Sequence, residues 1–402
     1  MQIIVQKFGG TSVATPEKRK MVVEKIKQAL SKGLKSVVVI SAMGRSGDPY
    51  ATDTLINLVK SINKNIPLRE LDLIMSCGEL ISCVVMANTL IANGLKAKVL
   101  TGGQAGIITD NNFGNASVLR VEPKNILECL QNGIIPVVAG FQGITENGDI
   151  TTLGRGGSDT TASIIGEAVK AELIEIYTDV DGIMTADPNM VPHAKIIDKM
   201  SYTEVFQLAE HGAKVIHPRA VEIAMRGNIP LVIKNTNNDL PGTYITNFNE
   251  LQYSPTQSKL VTGVTYIYNR AQISIDMNED ENKDWIFEEL AQNGISIDLI
   301  NIFPDKKVFT VNESDLEKVE KILGKSDLNY KIIRGLSKVS IVGNRIHGVP
   351  GIMAKIIKAL AKNNIKILQT SDSHATISCL IKGEDTQKAV IALHDEFIVK
   401  EA

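Results

Sequence analysis

The 402-residue chain has no G-x-x-x-x-G-K-[ST] segment, which excludes a P-loop nucleotide site. Gly154-Arg155-Gly156 begins like G-x-G-x-x-G, but Asp159 stands at the last position, so a dinucleotide fold is disfavoured. H-R-D and D-F-G are missing, and with them the protein-kinase fold. Neither sign of charge dominates. Lys+Arg 43 against Asp+Glu 45 leaves −2, which argues against a nucleic-acid-binding surface. Cys77, Cys83, Cys129 and Cys379 show neither C-x-x-C spacing nor histidine partners, so they read as reduced thiols of a cytoplasmic protein rather than disulfides or a zinc site. No basic, apolar leader opens the chain, and no apolar run approaches the ~20 residues that span a bilayer, so no membrane partner is expected.

What the chain does have is glycine at strand ends. Residues 153–162 read Leu-Gly-Arg-Gly-Gly-Ser-Asp-Thr-Thr-Ala. Three glycines free the backbone N–H groups to approach an anion, and Arg155 adds a planar fork suited to carboxylate or phosphate. Asp159 arrives where the pattern turns helical, so the loop empties into a helix N-terminus that favours negative charge. A second turn, Lys7-Phe8-Gly9-Gly10-Thr11-Ser12, follows an opening strand. Together the two turns suggest a site for a phosphate-bearing molecule and an acidic one.

A chain of this length, 44% apolar and 22% charged, predicts a globular protein of two or three domains. Up to about Asn235, β-branched runs (3–6, 36–41, 97–100, 135–139, 173–178, 231–234) alternate with helical patterns (16–31, 52–60, 78–93, 123–132, 203–209). That alternation predicts an α/β fold with a mostly parallel sheet covered on both faces, its ligands beyond the carboxyl ends of the strands. Residues 1–245 form this domain and 246–259 a linker. Beyond it, Glu289-Leu290-Ala291-Gln292-Asn293-Gly294-Ile295 repeats 70 residues later as Ala359-Leu360-Ala361-Lys362-Asn363-Asn364-Ile365. The pattern predicts two βαββαβ units, 260–335 and 336–402, with a strand near 260–268 available to the second.

With Ser41-Ala42-Met43-Gly44, Ser76-Cys77-Gly78-Glu79, Thr178-Asp179-Val180-Asp181-Gly182 through Asp187-Pro188, and Gly212-Ala213-Lys214 added to the two turns, the chain resembles the aspartokinase family over essentially its whole length. The resemblance implies an amino-acid-kinase fold followed by two ferredoxin-like ACT domains. It also implies transfer of the γ-phosphoryl group of ATP, with Mg2+, to the β-carboxylate of L-aspartate. That reaction opens the route to lysine and diaminopimelate, threonine and methionine, under feedback by an end product. The carboxylate is already ionised at neutral pH, so no general base is required. Other amino-acid kinases (of glutamate or acetylglutamate) and a non-catalytic ACT-type sensor are the competing readings.

By the same resemblance, Lys7 meets the transferred phosphoryl group and Phe8, Gly9 and Gly10 lie against ATP. Asp159 orients the lysines, including Lys214. Glu79 holds the substrate ammonium and Arg155 its α-carboxylate, with Ser41, Thr52, Gly156, Gly157 and Ser158 around the remaining oxygens. Thr178, Asp179, Met184 and Asp187 line the nucleotide side. The residues alone leave Glu79 open to a helix-capping role and Asp187-Pro188 to a turn. His211 and His217 are read as structural.

Three departures from the family pattern stand out. Asn189 replaces a frequent arginine, the first repeat has Asn278-Glu279-Asp280-Glu281-Asn282 where the second keeps Val349-Pro350-Gly351, and Gln369-Thr370-Ser371-Asp372-Ser373-His374 differs from the lysine- and threonine-sensitive pattern. Together with Gly44-Arg45-Ser46-Gly47-Asp48-Pro49-Tyr50-Ala51-Thr52-Asp53, the last resembles the diaminopimelate-sensitive group of Gram-positive bacteria. Effector contacts are expected at Asp298, Asn301, Ser371, Asp372 and His374, with Asp298 open to being a solvated turn residue. Two half-covered ACT sheets predict a homodimer or higher even homo-oligomer through residues 260–402.

Overall fold

A computed structural model describes residues 1–400 apart from Lys214, 248–259, 278–284, 326–327, Arg345 and His347. Most of the expected linker and the 278–282 turn therefore lie outside the described residues. The chain forms two compact units, Met1–Ile183 with Ile196–Ala209 and Lys214–Gln252, and Met184–Lys195 with Glu210–Ala213 and Tyr253–Ala402.

In the first unit the elements run β1 (Ile3–Phe8), α1 (Gly10–Val13), α2 (Pro16–Ser31), β2 (Lys35–Ile40), α3 (Thr52–Lys60), α4 (Leu68–Ala92), β3 (Ala97–Leu100), β4 (Ile107–Thr109), β5 (Val118–Val121) and α5 (Lys124–Gln131). They continue with β6 (Ile135–Ala139), β7 (Gln142–Thr145), β8 (Ile150–Thr152), α6 (Gly157–Val169), β9 (Leu173–Thr178), β10 (Lys199–Ser201), α7 (Tyr202–Glu210), α8 (Pro218–Arg226), β11 (Leu231–Asn235) and β12 (Thr243–Thr246). The main sheet has the order β10-β12-β11-β9-β1-β2-β6-β3, with β11 and β12 antiparallel and the other pairs parallel. Buried β-branched runs explain the central strands: Val37, Val38, Val39 and Ile40 of β2 are fully buried because helices cover both faces. From β1 the chain goes to β2 on one side and later to β9 on the other. That reversal opens a crevice at the carboxyl end of β1, after Lys7 and Phe8.

Two readings of this unit change. The helix expected at 78–93 begins ten residues earlier, at Leu68 after Pro67. Gly78 is not a turn residue: a Cβ there would meet Ala42 Cβ at 2.9 Å, so glycine lets the helix pass close to the 41–44 turn. α4 is also long and apolar enough to cross a membrane by length and composition, but half of that stretch is buried in the protein. Its buried side carries Asp72, Ser76, Glu79 and Ser82 as well as apolar residues, which marks a core helix. A second sheet, β5-β4-β7-β8, leaves no signal in the sequence, because three- and four-residue strands are too short for a period to register. It is tied to α4 by Asp72, whose buried carboxylate accepts from the Gly114 and Thr152 amides and the Thr152 hydroxyl at 2.8–2.9 Å.

The second unit contains β13 (Gly263–Asp276), α9 (Trp285–Gln292), β14 (Asp298–Ile302), β15 (Lys306–Asn312), α10 (Leu316–Leu323), β16 (Tyr330–Val342), α11 (Ile352–Lys362), β17 (Gln369–Asp372), β18 (Thr376–Lys382) and α12 (Thr386–His394). A π-helical turn, Asp395–Val399, follows. The repeat at 70 residues is present, but it builds one six-stranded sheet rather than two, in the order β14-β15-β13-β16-β18-β17. β13 and β16 are long enough to serve both repeats. Residues 263–267 pair with 338–342 in the second repeat, and 272–275 pair with 330–333 in the first. The ladder slips between Ile267 and Gln272, where Asn269 takes φ +58.

The sheet ends also meet. Gln369 of β17 donates to Asn301 Oδ1 of β14 at 2.6 Å and to the Leu299 carbonyl. The face opposite the helices is thereby covered within the chain, and Thr310, Lys338, Ser340 and Ser378 on it are buried. The expectation of two half-covered sheets is corrected accordingly.

The segment Met184–Lys195 is a further departure from a continuous domain at 1–245. Ala186, Met190 and Val191 pack with Val264, Val339 and Ile341 in the second unit's core.

Candidate active site

The crevice at the end of β1 is assembled by backbone contacts between turns. The Ser41 amide donates to the Phe8 carbonyl at 3.2 Å, and the Gly44 amide donates to Gly10 at 3.2 Å. Gly10 admits no side chain, since a Cβ would stand 2.3 Å from the Ala42 carbonyl oxygen. The Gly9 amide donates to Tyr177 of β9, and Phe8 stacks on the Tyr177 ring at 4.7 Å.

Lys7 projects into this crevice and pairs with Asp159 at 2.7 Å, with only 12% and 14% of the side chains exposed. Asp159 lies in the first turn of α6. Gly156 caps that helix in the left-handed region at φ +69, and a Cβ on it would stand 2.3 Å from His217 Cβ. His217 therefore packs against the loop and caps α8, its Nδ1 accepting from the Arg219 amide at 3.3 Å. Gly157 and Ser158 open α6, where helical N–H groups lack intrahelical partners. Ser158 Oγ lies against Gly140, beside the β2 terminus. Arg155 is exposed on the same loop.

Glu79 supplies the least satisfied group here. Its Oε1 accepts from the Ala42 amide at 3.2 Å, while Oε2 is buried with no hydrogen-bond partner among the described residues. Burial pushes the carboxyl up to about 8 against the lowering effect of the Ala42 and Glu79 backbone N–H groups. Mid-helix and buried, Glu79 is not a cap. The buried Oε2 is a carboxylate oxygen with room in its hydrogen-bonding capacity for a cationic donor.

Residues 2–235 match the model of the Amino acid kinase family, and residues 331–395 match an ACT domain model. Over 400 residues the chain is 46% identical to Aspartokinase 1 of Bacillus subtilis (strain 168), covering 99% of each. The chain belongs to the aspartokinase family. It is a kinase, with an amino-acid-kinase fold followed by ACT repeats. Among solved structures, aspartate kinase of Clostridium acetobutylicum aligns with a TM-score of 0.79 at 25% identity, over 98% of this chain and 100% of that one. E. coli aspartokinase III in complex with aspartate and ADP shares the fold, with a TM-score of 0.81 at 24% identity over 98% and 99%.

Lys7, Phe8, Gly9, Gly10, Ser41, Glu79, Gly156, Gly157, Ser158 and Asp159 are thus brought to one crevice. Thr52 opens α3 just after Tyr50, whose carbonyl lies against Gly78. Thr178 ends β9, and Asp179 just after it is held by Arg45 at 2.6 Å. Met184 and Asp187 belong instead to the second unit, where Asp187 accepts from the Tyr266 hydroxyl at 2.8 Å and from Asn189. Asn189, where the family often has arginine, closes a turn on Asp187. Lys214 lies outside the described residues.

Of the expected effector residues, Asp298 is ion-paired with Lys338 and Asn301 is held by Gln369. Burial would raise the Asp298 carboxyl, but the Lys338 hydrogen bond and charge outweigh it and hold it below the ordinary range. Ser371 and Asp372 line a cavity of about 330 Å³ with Val349, Gly351 and Met353; His374 is exposed and outside that lining.

The network under the crevice was missed from sequence. Glu175 accepts from Gln6 (2.9 Å) and Tyr177 (3.0 Å) and pairs with Lys234 (2.8 Å), joining β1, β9 and β11. The available signal was polar residues inside otherwise apolar strands. All four cysteines are free.

Proposed function

We propose that the chain transfers the γ-phosphoryl group of ATP to the side-chain carboxylate of L-aspartate. The observation that carries this is the buried, unpartnered Glu79 oxygen, which fits a substrate ammonium and is held by the same 41–44 turn that packs on Phe8 and Gly10 after Lys7. A bond forms between the carboxylate oxygen and phosphorus as the bond to ADP breaks, and no proton need move. Gly9 and Gly10 offer backbone donors to the phosphates, Lys7 neutralises charge developing on the transferred group, and Asp159 holds Lys7 in place. Arg155 receives the α-carboxylate, a bidentate task. Mg2+ arrives with the nucleotide, whose phosphate oxygens are hard ligands suited to it. Aspartokinase III of E. coli was crystallised with aspartate and ADP, which accords with this reading.

The test is ADP release with aspartate, glutamate and N-acetylglutamate. Aspartate should be preferred, and Arg155→Lys should raise its KM at least ~10-fold more than that of ATP. Turnover with none of the three, or equal damage to both constants, would sink the reading or move Arg155 to the phosphates.

An end-product amino acid (diaminopimelate, lysine or threonine) is the proposed feedback effector. The cavity beside Ser371 and Asp372 offers it a carboxylate for its ammonium and the amino-terminal turn of α11 for its carboxylate. An ammonium reaching Asp298 would have to replace Lys338. Inhibition requires tighter binding to one of two enzyme states. Across a panel of the three amino acids, Asp372→Ala or Asp298→Ala should move the half-inhibitory concentration at least ~10-fold. Curves unmoved by either variant would remove both residues from regulation.

An even homo-oligomer through the second unit is supported by the edge strand β14, where Ile300 and Ile302, and Phe303 just after it, are exposed at 47%, 64% and 45%. Light scattering should give at least a dimer mass, and Ile302→Lys should reduce it. A monomer in the unmodified protein would refute the assembly.

A further inference from the structure

Met184–Lys195 carries His193, whose Nε2 lies 2.8 Å from Oδ1 of Asp395. Asp395 opens the π-helical turn after α12, and π-turns recur at functional sites. The preceding residue, His394, has a side chain only 1% exposed, and its Nδ1 faces the same Asp395 oxygen at 4.0 Å. That Nδ1 has no hydrogen-bond partner among the described residues. The other ring nitrogen, Nε2, lies 2.9 Å from Thr185 Oγ1, which also accepts from the Lys195 amide at 3.0 Å.

A packed core histidine with a surface ion pair nearby accounts for the Thr185 contact and leaves Nδ1 without a hydrogen bond. In the tautomer whose Nε2–H donates to Thr185, the buried Nδ1 presents a lone pair toward the half-exposed Asp395 carboxylate, and two acceptors face one another. Leaving a buried nitrogen unmatched is unfavourable. A cation between them removes the conflict.

We propose that His193 Nε2, His394 Nδ1 and Asp395 Oδ1 bind a divalent transition-metal ion of the zinc type, pinning the Met184–Lys195 segment to the carboxyl-terminal turn. The three donor atoms lie within 4.8 Å of one another. Ligands ~2.0–2.1 Å from a tetrahedral zinc stand about 3.3 Å apart, between the 2.8 and 4.0 Å separations to Asp395. Two imidazoles and one carboxylate favour zinc over the hard, oxygen-seeking magnesium. Thr185 acts behind His394 as metal-binding histidines require, fixing the tautomer through the far nitrogen. His193 and Asp395 are 50% and 47% exposed, which leaves a route in and a fourth position for water.

The experiment uses the full chain, stripped with chelator and free of nucleotide, titrated with Zn2+ by calorimetry and with Co2+ by visible absorption. One equivalent per chain should bind with micromolar or tighter affinity, undisturbed by millimolar Mg2+. His193→Ala and Asp395→Asn, both at the surface, should each weaken binding at least ~10-fold, while His374→Ala should not. Hydrogen exchange in residues 184–195 should slow on zinc addition in the unmodified chain only. Absence of stoichiometric binding, or equal affinity in the His193 and Asp395 variants, would overturn the site.

Discussion

Lys7→Ala should lower kcat at least ~100-fold, and more if the transition state gathers most of its charge at the transferred phosphoryl group. The expectation rests on placement. Lys7 stands one residue before the end of β1, where the sheet order reverses, and its ammonium is aimed by Asp159 at 2.7 Å. Phosphoryl transfer to an ionised carboxylate brings two anions together, so positioned positive charge is what the protein must supply. Asp159→Asn keeps the shape but loosens that aim, and a smaller fall in kcat is expected from it. The measurement is steady-state ADP release with circular dichroism to verify folding. Turnover within threefold of the unmodified enzyme would exclude Lys7 from the chemistry.

Glu79→Gln should raise the KM for aspartate by about 5- to 15-fold, the loss expected when a charge-assisted hydrogen bond is replaced by a neutral one. The effect on ATP should be small. The same variant carries a pH signature. With its folded pKa near 8, above the ordinary glutamate value of 4.5, Glu79 binds more protons folded than unfolded between those limits. Its contribution to stability is therefore complete below pH 4.5 and is lost as pH rises through about 8, by at most about 5 kcal/mol. Glu79→Gln removes that slope, so ligand-free variant and unmodified protein should diverge in denaturant stability between pH 5 and 9, the variant gaining. Bound aspartate, by supplying an ammonium, should narrow the gap. Parallel stability curves across this range would show that Glu79 is ionised in the free protein.

Both expectations place function in a strained corner. A carboxylate buried without a partner is unfavourable until its ligand arrives, and the glycine turns sacrifice backbone rigidity for close approach. Those are the positions where local stability rules are broken for binding.

Much of this could be read from residue order alone. β-branched runs separated by amphipathic helices were enough for the parallel sheet, because a strand buried on both faces must be apolar throughout. Two glycine turns at strand ends marked the crevice, since such turns free N–H groups wherever they stand. The 70-residue repeat announced paired ACT units. What lay beyond the sequence depends on contacts between residues far apart in the chain. That β13 and β16 each serve two repeats is a matter of strand length and register, which no local pattern reveals. That Asp298 is met by Lys338, and Asp187 by Tyr266, follows from the closure of the sheet and the packing of residues 184–195 in the second unit. Glu79 illustrates the division best. Its identity and helical setting are local, but the burial that empties its surroundings of partners and lifts its pKa is imposed by the 41–44 turn packed across α4. Propensity acts over a few residues, whereas desolvation is set by whatever the whole fold brings near.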